Sequence, residues 1–233
     1  MLNSVRNIGR YFCHNGIGMA VRGRCSKDEA SLITGVWEQV RRNIDHAKEG
    51  TIWVNMFLND KFLVEETPEI LRLHAWATEL IRRDRKHYFL HQIGFFFSAS
   101  HSTHEQEFHI DYHPQAETWF VPLVPVSTLN STRYMTTPST SEPTPGRYYS
   151  NRYGKDDFDL LEREGRDHIE IAQIVCREFT ILHLLSNTVH RGIRNSSDYD
   201  RPMFFAFATP DEDFFVKEKS VESDVNIPKR PDE

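Results

Sequence analysis

The stretch "VHRGIRNSSDYDRPMFFAF", residues 189–207, sets the problem that this chain poses. It has two halves. His190 closes an apolar, strand-like run, and Arg201 opens a second one, "RPMFFAFATP". The second run is aromatic and β-favouring, with the polar turn "NSSDYD" in front of it, so it reads as a strand. An arginine at the head of an aromatic strand has no evident structural purpose. It needs a carboxylate to pair with, ideally by a two-pronged contact.

Upstream, "EFHIDYH" at 107–113 places His109, Asp111 and His113 at every second position. On a β-strand all three side chains leave one face. Such a row is either a polar surface strand or part of a metal site. Two histidines and one carboxylate on three corners of an octahedron is the set that non-haem Fe(II) oxygenases use, with three positions left open. One strand cannot wrap an ion, so the third ligand must arrive from elsewhere, and His190 is the candidate. His113 shares the face of His109 and is an alternative to Asp111.

Further elements follow from pattern. "SKDE" at 26–29 has the capping-box form, and Leu32, Val36, Val40 and Ile44 behind it recur every four residues. They predict a helix ending near His46. A second helix is expected from Pro68 to about Arg85, with Pro68 in its first turn. "GIGMAVRG", "HYFLHQIGFFFSAS", "TWFVPLVPV", "EIAQIVC" and "FTILHLL" read as strands, the prolines of "FVPLVPV" marking an irregular or edge strand. Residues 136–168 are polar and predict a long loop of the kind that serves as a lid, with a short helix near "DDFDLLERE". Residues 217–233 read as a charged tail. The expected order is helices first, then an all-β body, in one domain spanning 1–216.

The 233 residues are 39% hydrophobic and 27% charged, and 16 are Phe, which is ordinary for a soluble globular chain with an aromatic core. The net charge of −6 argues against broad nucleic-acid binding. "RRDRKH" at 82–87 reads as a solvated helix end. Three cysteines without a CxxC suit a reducing, cytoplasmic setting. No apolar run reaches the roughly 18 residues that a membrane span needs. The first 27 residues lack Asp and Glu, so the segment reads as a transit peptide or as the run-up to a first strand.

Taken together, "FHIDY", "TWFVPLVPVSTLNSTRYMTTPST" and "VHRGIRNSSDYDRPMFFAF" resemble the Fe(II)/2-oxoglutarate-dependent dioxygenases, within them the phytanoyl-CoA-hydroxylase-like group. "RYFCHNGIGMAVRGRCSKDEASLI" is similar to that group's opening strand and helix, so the resemblance covers most of residues 10–210. It departs at Arg177-Glu178, where the group has Gly-Asp, and the lid matches nothing. The resemblance implies an α+β, mainly β fold: a double-stranded β-helix (a cupin-like jelly roll) buttressed by N-terminal helices. It implies His109, Asp111 and His190 as iron ligands and Arg201 as the partner of the distal carboxylate of 2-oxoglutarate. It also implies Trp119 packing against that co-substrate, dioxygen as oxidant, and ascorbate as an auxiliary reductant. A carboxylate at Asp111 argues for hydroxylation or desaturation over halogenation.

His113, Arg133 and Tyr134 are candidates for the substrate pocket. His101 and His104 read as surface histidines, His183 as a core histidine, and Arg191 and Arg194 as rim or substrate contacts. A small-molecule metabolite is the expected substrate. A protein side chain is the alternative for the same catalyst. A non-oxygenase cupin-like metal protein is a third reading, which leaves Arg201 unexplained.

Overall fold

The structure is a computed structural model, and it describes residues 12–14, 17–44, 51–106, 116–136, 170–184 and 190–214. In chain order these form β1 (Phe12–His14), β2 (Ile17–Arg24), α1 (Lys27–Val40), β3 (Thr51–Leu58), β4 (Lys61–Phe62) and α2 (Pro68–Asp84). Then come β5 (Phe89–Ser98), β6 (Glu117–Pro122), β7 (Thr132–Thr136), β8 (Glu170–Gln173), β9 (Thr180–Leu184), β10 (His190–Gly192) and β11 (Arg201–Thr209). His109, Asp111 and His113 lie outside the described residues. So do the loop beyond Thr136 up to residue 169, and the tail from 217.

Both helices start where their caps dictate. Ser26 Oγ accepts from the Glu29 amide at 3.3 Å, and the Ser26 amide donates to Glu29 Oε2 at 2.6 Å, closing the capping box. The same Glu29 accepts from Trp76 Nε1 at 2.8 Å, which ties α1 to α2. Thr67 caps α2 with Pro68 at its first turn. The first helix is shorter than its periodicity predicts. It ends at Val40, a single 3-10 turn covers Arg41–Asn43, and Ile44 is already extended so that its side chain reaches the core.

The strands form two antiparallel sheets. The larger runs β1-β2-β9-β6-β11-β5-β3-β4 and the smaller β10-β7-β8. The helices pack on one face of the large sheet. Val36, Trp37, Leu73, Leu80 and Ile81 meet Phe95, Phe204 and Ala206 there. On the opposite face, Met19, Leu182, Phe120, Met203 and Phe205 form a second apolar cluster with Val126. Strand β11 lies between β5 and β6 and alternates between these two environments, so every one of its residues is buried.

Two details correct the expected order. A hairpin, β3–β4, stands between the helices, and β3 pairs along β5 as the next strand of the large sheet. Its turn places Asn59 and Asp60 at φ 50 and 60, the left-handed pair that suits a two-residue hairpin and that Asn and Asp tolerate. The run "FVPLVPV" stops being strand at Pro122, and Val126 then bridges to Cys176. Gly94 is demanded by packing: a Cβ there would stand 2.3 Å from Val54 O and 2.9 Å from the Phe205 ring.

Candidate functional site

Between the sheets lies a cavity with about 670 Å³ of empty space, its mouth included. Its polar lining gathers at one end, where Gln106, Thr132, His190 and Arg201 meet around Gly192. His190 and Arg201, eleven residues apart in the chain, are thus brought together by the starts of β10 and β11. Each is 6% exposed.

Arg201 is the most costly group in this site. Its Nη1 donates to Ser131 O at 3.1 Å and to Asn130 O. Two neutral carbonyls are all that the described residues offer it, and no carboxylate among them pairs with it. The nearest acids in sequence are engaged elsewhere: Asp200 Oδ1 accepts from the Ser100 amide at 2.9 Å, and Asp198 is 97% exposed beside His101. Burial pushes the Arg201 pKa down to about 10, so the guanidinium still carries its charge at neutral pH. Burying an unmatched cation costs several kcal/mol. Among the described residues, nothing balances that cost.

The carbonyls that hold Arg201 are themselves held. Asn130 is fully buried, takes the Ser127 amide at 2.8 Å on its Oδ1, and turns its Nδ2 to Pro125 O and Ser197 Oγ. Asn195, also fully buried, donates to Ser98 O and Tyr199 O and accepts from Ser197 Oγ at 2.6 Å. The turn at 127–131 and the loop at 195–199 are therefore locked together beneath the guanidinium. Sequence reasoning did not single out Asn195 or Ser197. The polar run "NSSDYD" holds them, and side chains that can turn back on their own backbone are the signal it carried.

Gln106 was missed as well. It exchanges two hydrogen bonds with Gly192: its amide donates to Gly192 O at 3.0 Å, and its Oε1 accepts from Gly192 N at 2.8 Å. A Cβ on residue 192 would stand 2.6 Å from that Oε1 and 3.7 Å from Arg201 Nη2, so only glycine admits this contact. Gln106 precedes His109 by three residues, so the chain bearing His109 and Asp111 leaves from beside the strand that carries His190.

The remaining candidates are placed as follows. Trp119 is fully buried on the helix-facing side of β6. It stacks on His183 at 4.1 Å and donates from Nε1 to Asp84 Oδ2 at 3.2 Å. It does not line the cavity, so its expected packing against a co-substrate does not match its position. Its neighbour Phe120 faces the cavity instead. Arg133 is half-buried opposite Arg191 in the β7–β10 pairing and is not part of the lining. Of Tyr134, only the backbone in β7 is described. Arg191 pairs with Glu105 at 3.0 Å, and burial, helped by the like charge of Arg133, holds its pKa below the usual value against the opposing pull of Glu105.

His183 is the core histidine that its apolar strand predicts. Nε2 meets Glu117 Oε2 at 2.7 Å, and Nδ1 faces Arg22 at 2.7 Å. Arg85 grips Glu117 with two contacts, of 2.8 and 3.0 Å. The stretch read as a solvated helix end therefore supplies two inward partners, Asp84 and Arg85. Burial pushes the Cys25 and Cys176 thiols to about 12 and about 11, which leaves neither as a nucleophile at neutral pH. Among the described residues no three His, Cys, Asp or Glu side chains gather to hold a metal, and His109 and Asp111 are not among those residues.

No family model matches the chain, and no curated protein matches its sequence. Solved structures do match its fold. The carbocyclase SnoK from nogalamycin biosynthesis, a non-haem α-ketoglutarate-dependent enzyme, superposes with a TM-score of 0.61 at 16% identity. That match covers 83% of this chain and 80% of SnoK. HygX from Streptomyces hygroscopicus, solved with nickel and 2-oxoglutarate bound, gives 0.58 at 13% identity, covering 84% of each chain. EctD from S. alaskensis, with 2-oxoglutarate and 5-hydroxyectoine, gives 0.56 at 13% identity, covering 84% of this chain and 73% of EctD. The fold is that of the non-haem 2-oxoglutarate-dependent enzymes. Two antiparallel sheets facing across a cavity, with helices behind the larger one, are the jelly-roll architecture that such enzymes share. In the described residues no helix is long and apolar enough to cross a membrane.

Proposed function

We propose that this chain is a non-haem Fe(II)- and 2-oxoglutarate-dependent oxygenase that hydroxylates a small molecule. The observation that carries the reading is Arg201: a buried cation beside His190, at the polar end of a cavity, with no described acid to neutralise it. The fold similarity supports it, as do the 2-oxoglutarate bound in HygX and EctD and the 5-hydroxyectoine bound in EctD.

The residues present suit both groups. His190 with His109 and Asp111 is the donor set for Fe(II). Arg201 is the counter-charge for the distal carboxylate of 2-oxoglutarate. When bound, iron and 2-oxoglutarate supply oxidation of a C–H bond by dioxygen, with 2-oxoglutarate leaving as succinate and CO₂. The protein's own share is binding and exclusion. Asn130 and Ser131 fix the guanidinium through its Nη1. Gln106, bound to Gly192, holds the chain that leads into His109. The apolar cluster on the inner face of the large sheet keeps water from the reacting end. The loop at 136–168 is proposed as the lid over it.

Succinate release tests the reading. It is measured with Fe(II), ascorbate and 2-oxoglutarate over a panel of metabolites. We expect turnover that needs both iron and 2-oxoglutarate and is abolished in His190→Ala. Turnover that persists without 2-oxoglutarate would set the reading aside.

A further inference from the structure

The polar end of the cavity accounts for the metal and co-substrate residues, but not for the rest of its wall. Away from that end the described lining carries no charge. Met19, Phe120 and Leu182 pave the floor, and Phe96, Met203 and Trp53 continue it towards β3. These residues are neighbours through the sheet register: Trp53 stands opposite Phe96, Phe96 opposite Met203, and Phe120 opposite Leu182. The rings are set edge to face and in stacks. Trp53 meets Phe96 at 3.7 Å with planes 89° apart, and Phe96 lies nearly parallel to Phe205 at 4.5 Å. Gly94 leaves room for the Phe205 ring to lie flat.

Trp53 sits at the rim of this wall. It lines the cavity and is nevertheless 45% exposed. A half-exposed Trp beside a fixed aromatic stack offers a large rigid apolar surface at low entropic cost.

Resting on the oxygenase reading, we propose that the substrate is an uncharged molecule with a flat fused-ring portion, which docks on Trp53 and Phe96. Two features of the wall favour this class over charged metabolites. No described lining residue beyond His190 and Arg201 could meet a charge, and those two are committed to metal and co-substrate. An unpaired charge against this wall would be desolvated without return. Rings fit it better than chains because edge-to-face and stacked contacts add attraction beyond that of buried area.

The test is calorimetric titration of the Fe(II)-loaded protein, under nitrogen, with and without 2-oxoglutarate. Two uncharged ring probes, 2-naphthol and flavanone, are compared with two charged ring probes, 2-naphthylamine-6-sulfonate and 2-naphthylmethylammonium. The expected result is binding of the uncharged probes only, weakened about tenfold or more in Trp53→Ala and largely restored in Trp53→Phe. Phe96→Leu, which keeps volume but loses the ring, should weaken it less. Three results overturn the proposal: tighter binding of the charged probes, uncharged-probe binding indifferent to Trp53, or no binding of the uncharged probes together with a Trp53→Ala protein of lowered thermal stability. The last would mean that the chain itself covers the wall. The co-substrate reading is judged separately, by whether 2-oxoglutarate itself gives a saturable heat.

Discussion

At the scale of single residues, Arg201 is the position where sequence and structure agree on a question and the site supplies an answer. An arginine heading "RPMFFAF" demands an acid, and the described fold gives it only carbonyls. Two consequences can be measured. Arg201→Ala should weaken 2-oxoglutarate binding by about 3–5 kcal/mol, because a dianion would be buried against nothing. That corresponds to roughly a hundredfold to a few thousandfold in Kd. Arg201→Lys should recover only part of it, since an ammonium cannot make the two-pronged contact. Iron binding should survive both. Arg201→Met should also leave the unliganded protein about as stable as before, since it removes a buried charge that no described acid balances. Thermal melts with and without 2-oxoglutarate check this: the co-substrate should raise Tm in the natural protein and not in the variant. A Met variant that melts much lower would point to a structural acid partner. Gly192 gives a second prediction. Gly192→Ala puts a methyl group 2.6 Å from Gln106 Oε1, makes that side chain swing away and lose its bond from the residue 192 amide, and should cost about 1 kcal/mol. Denaturant melts should show the double variant Gly192→Ala/Gln106→Ala regaining part of that loss.

At the scale of elements, capped helices and long aromatic strands were legible, while face and partner were not. Ser26 and Thr67 signal their helices through local chemistry that the sequence displays directly. The hairpin β3–β4 was passed over because its reason for existing is β5, far away in the chain. Trp119 was expected on the cavity side. Every residue of β6 is buried, so no alternation of polar and apolar residues marks which face is which. Asp84 and Arg85 read as solvated because their partners Arg22, His183 and Glu117 come from three other elements. That set pins the end of α2 to β2, β6 and β9, and it is balanced only with His183 neutral. Burial holds the His183 pKa below its usual value against the pull of Glu117, and Arg22 and Arg85 push the same way as burial. A depressed histidine pKa gives stability that is complete above the unfolded value, near 6.5, and is lost as pH falls below it. Glu117, held below the usual carboxylate range despite its burial by bonds from His183 and Arg85, adds a loss at still lower pH. His183→Gln can keep both contacts, donating to Glu117 and accepting from Arg22, but does not titrate. It should flatten the fall in Tm just below pH 6.5 without removing it, because His74 and His91 are also depressed by burial. An unchanged pH profile would take His183 out of the acid response.

At the scale of the whole molecule, the jelly roll follows from β-rich sequence behind two capped helices. The site follows from how the two sheets face each other. His190 opens β10 in the small sheet and Arg201 opens β11 in the large one, so their meeting depends on both sheets at once. Spacing along the chain does not reveal that. The pairing of Gln106 with Gly192 and the locked loops under Arg201 were hidden for the same reason. The two-residue alternation made His109, Asp111 and His113 candidates without tertiary context, the family resemblance alone singled out His109 and Asp111, and their part in the site is a proposal that direct metal chemistry must carry. The measurement that tests the central claim most directly is an anaerobic titration of the Fe(II)-loaded protein with 2-oxoglutarate, followed by visible absorption. Chelation of iron by the keto acid gives a metal-to-ligand charge-transfer band. The account predicts a saturable band in the natural protein, a midpoint shifted at least a hundredfold in Arg201→Ala, and no band in His190→Ala. A band absent from the natural protein, or of equal midpoint in Arg201→Ala, would contradict it.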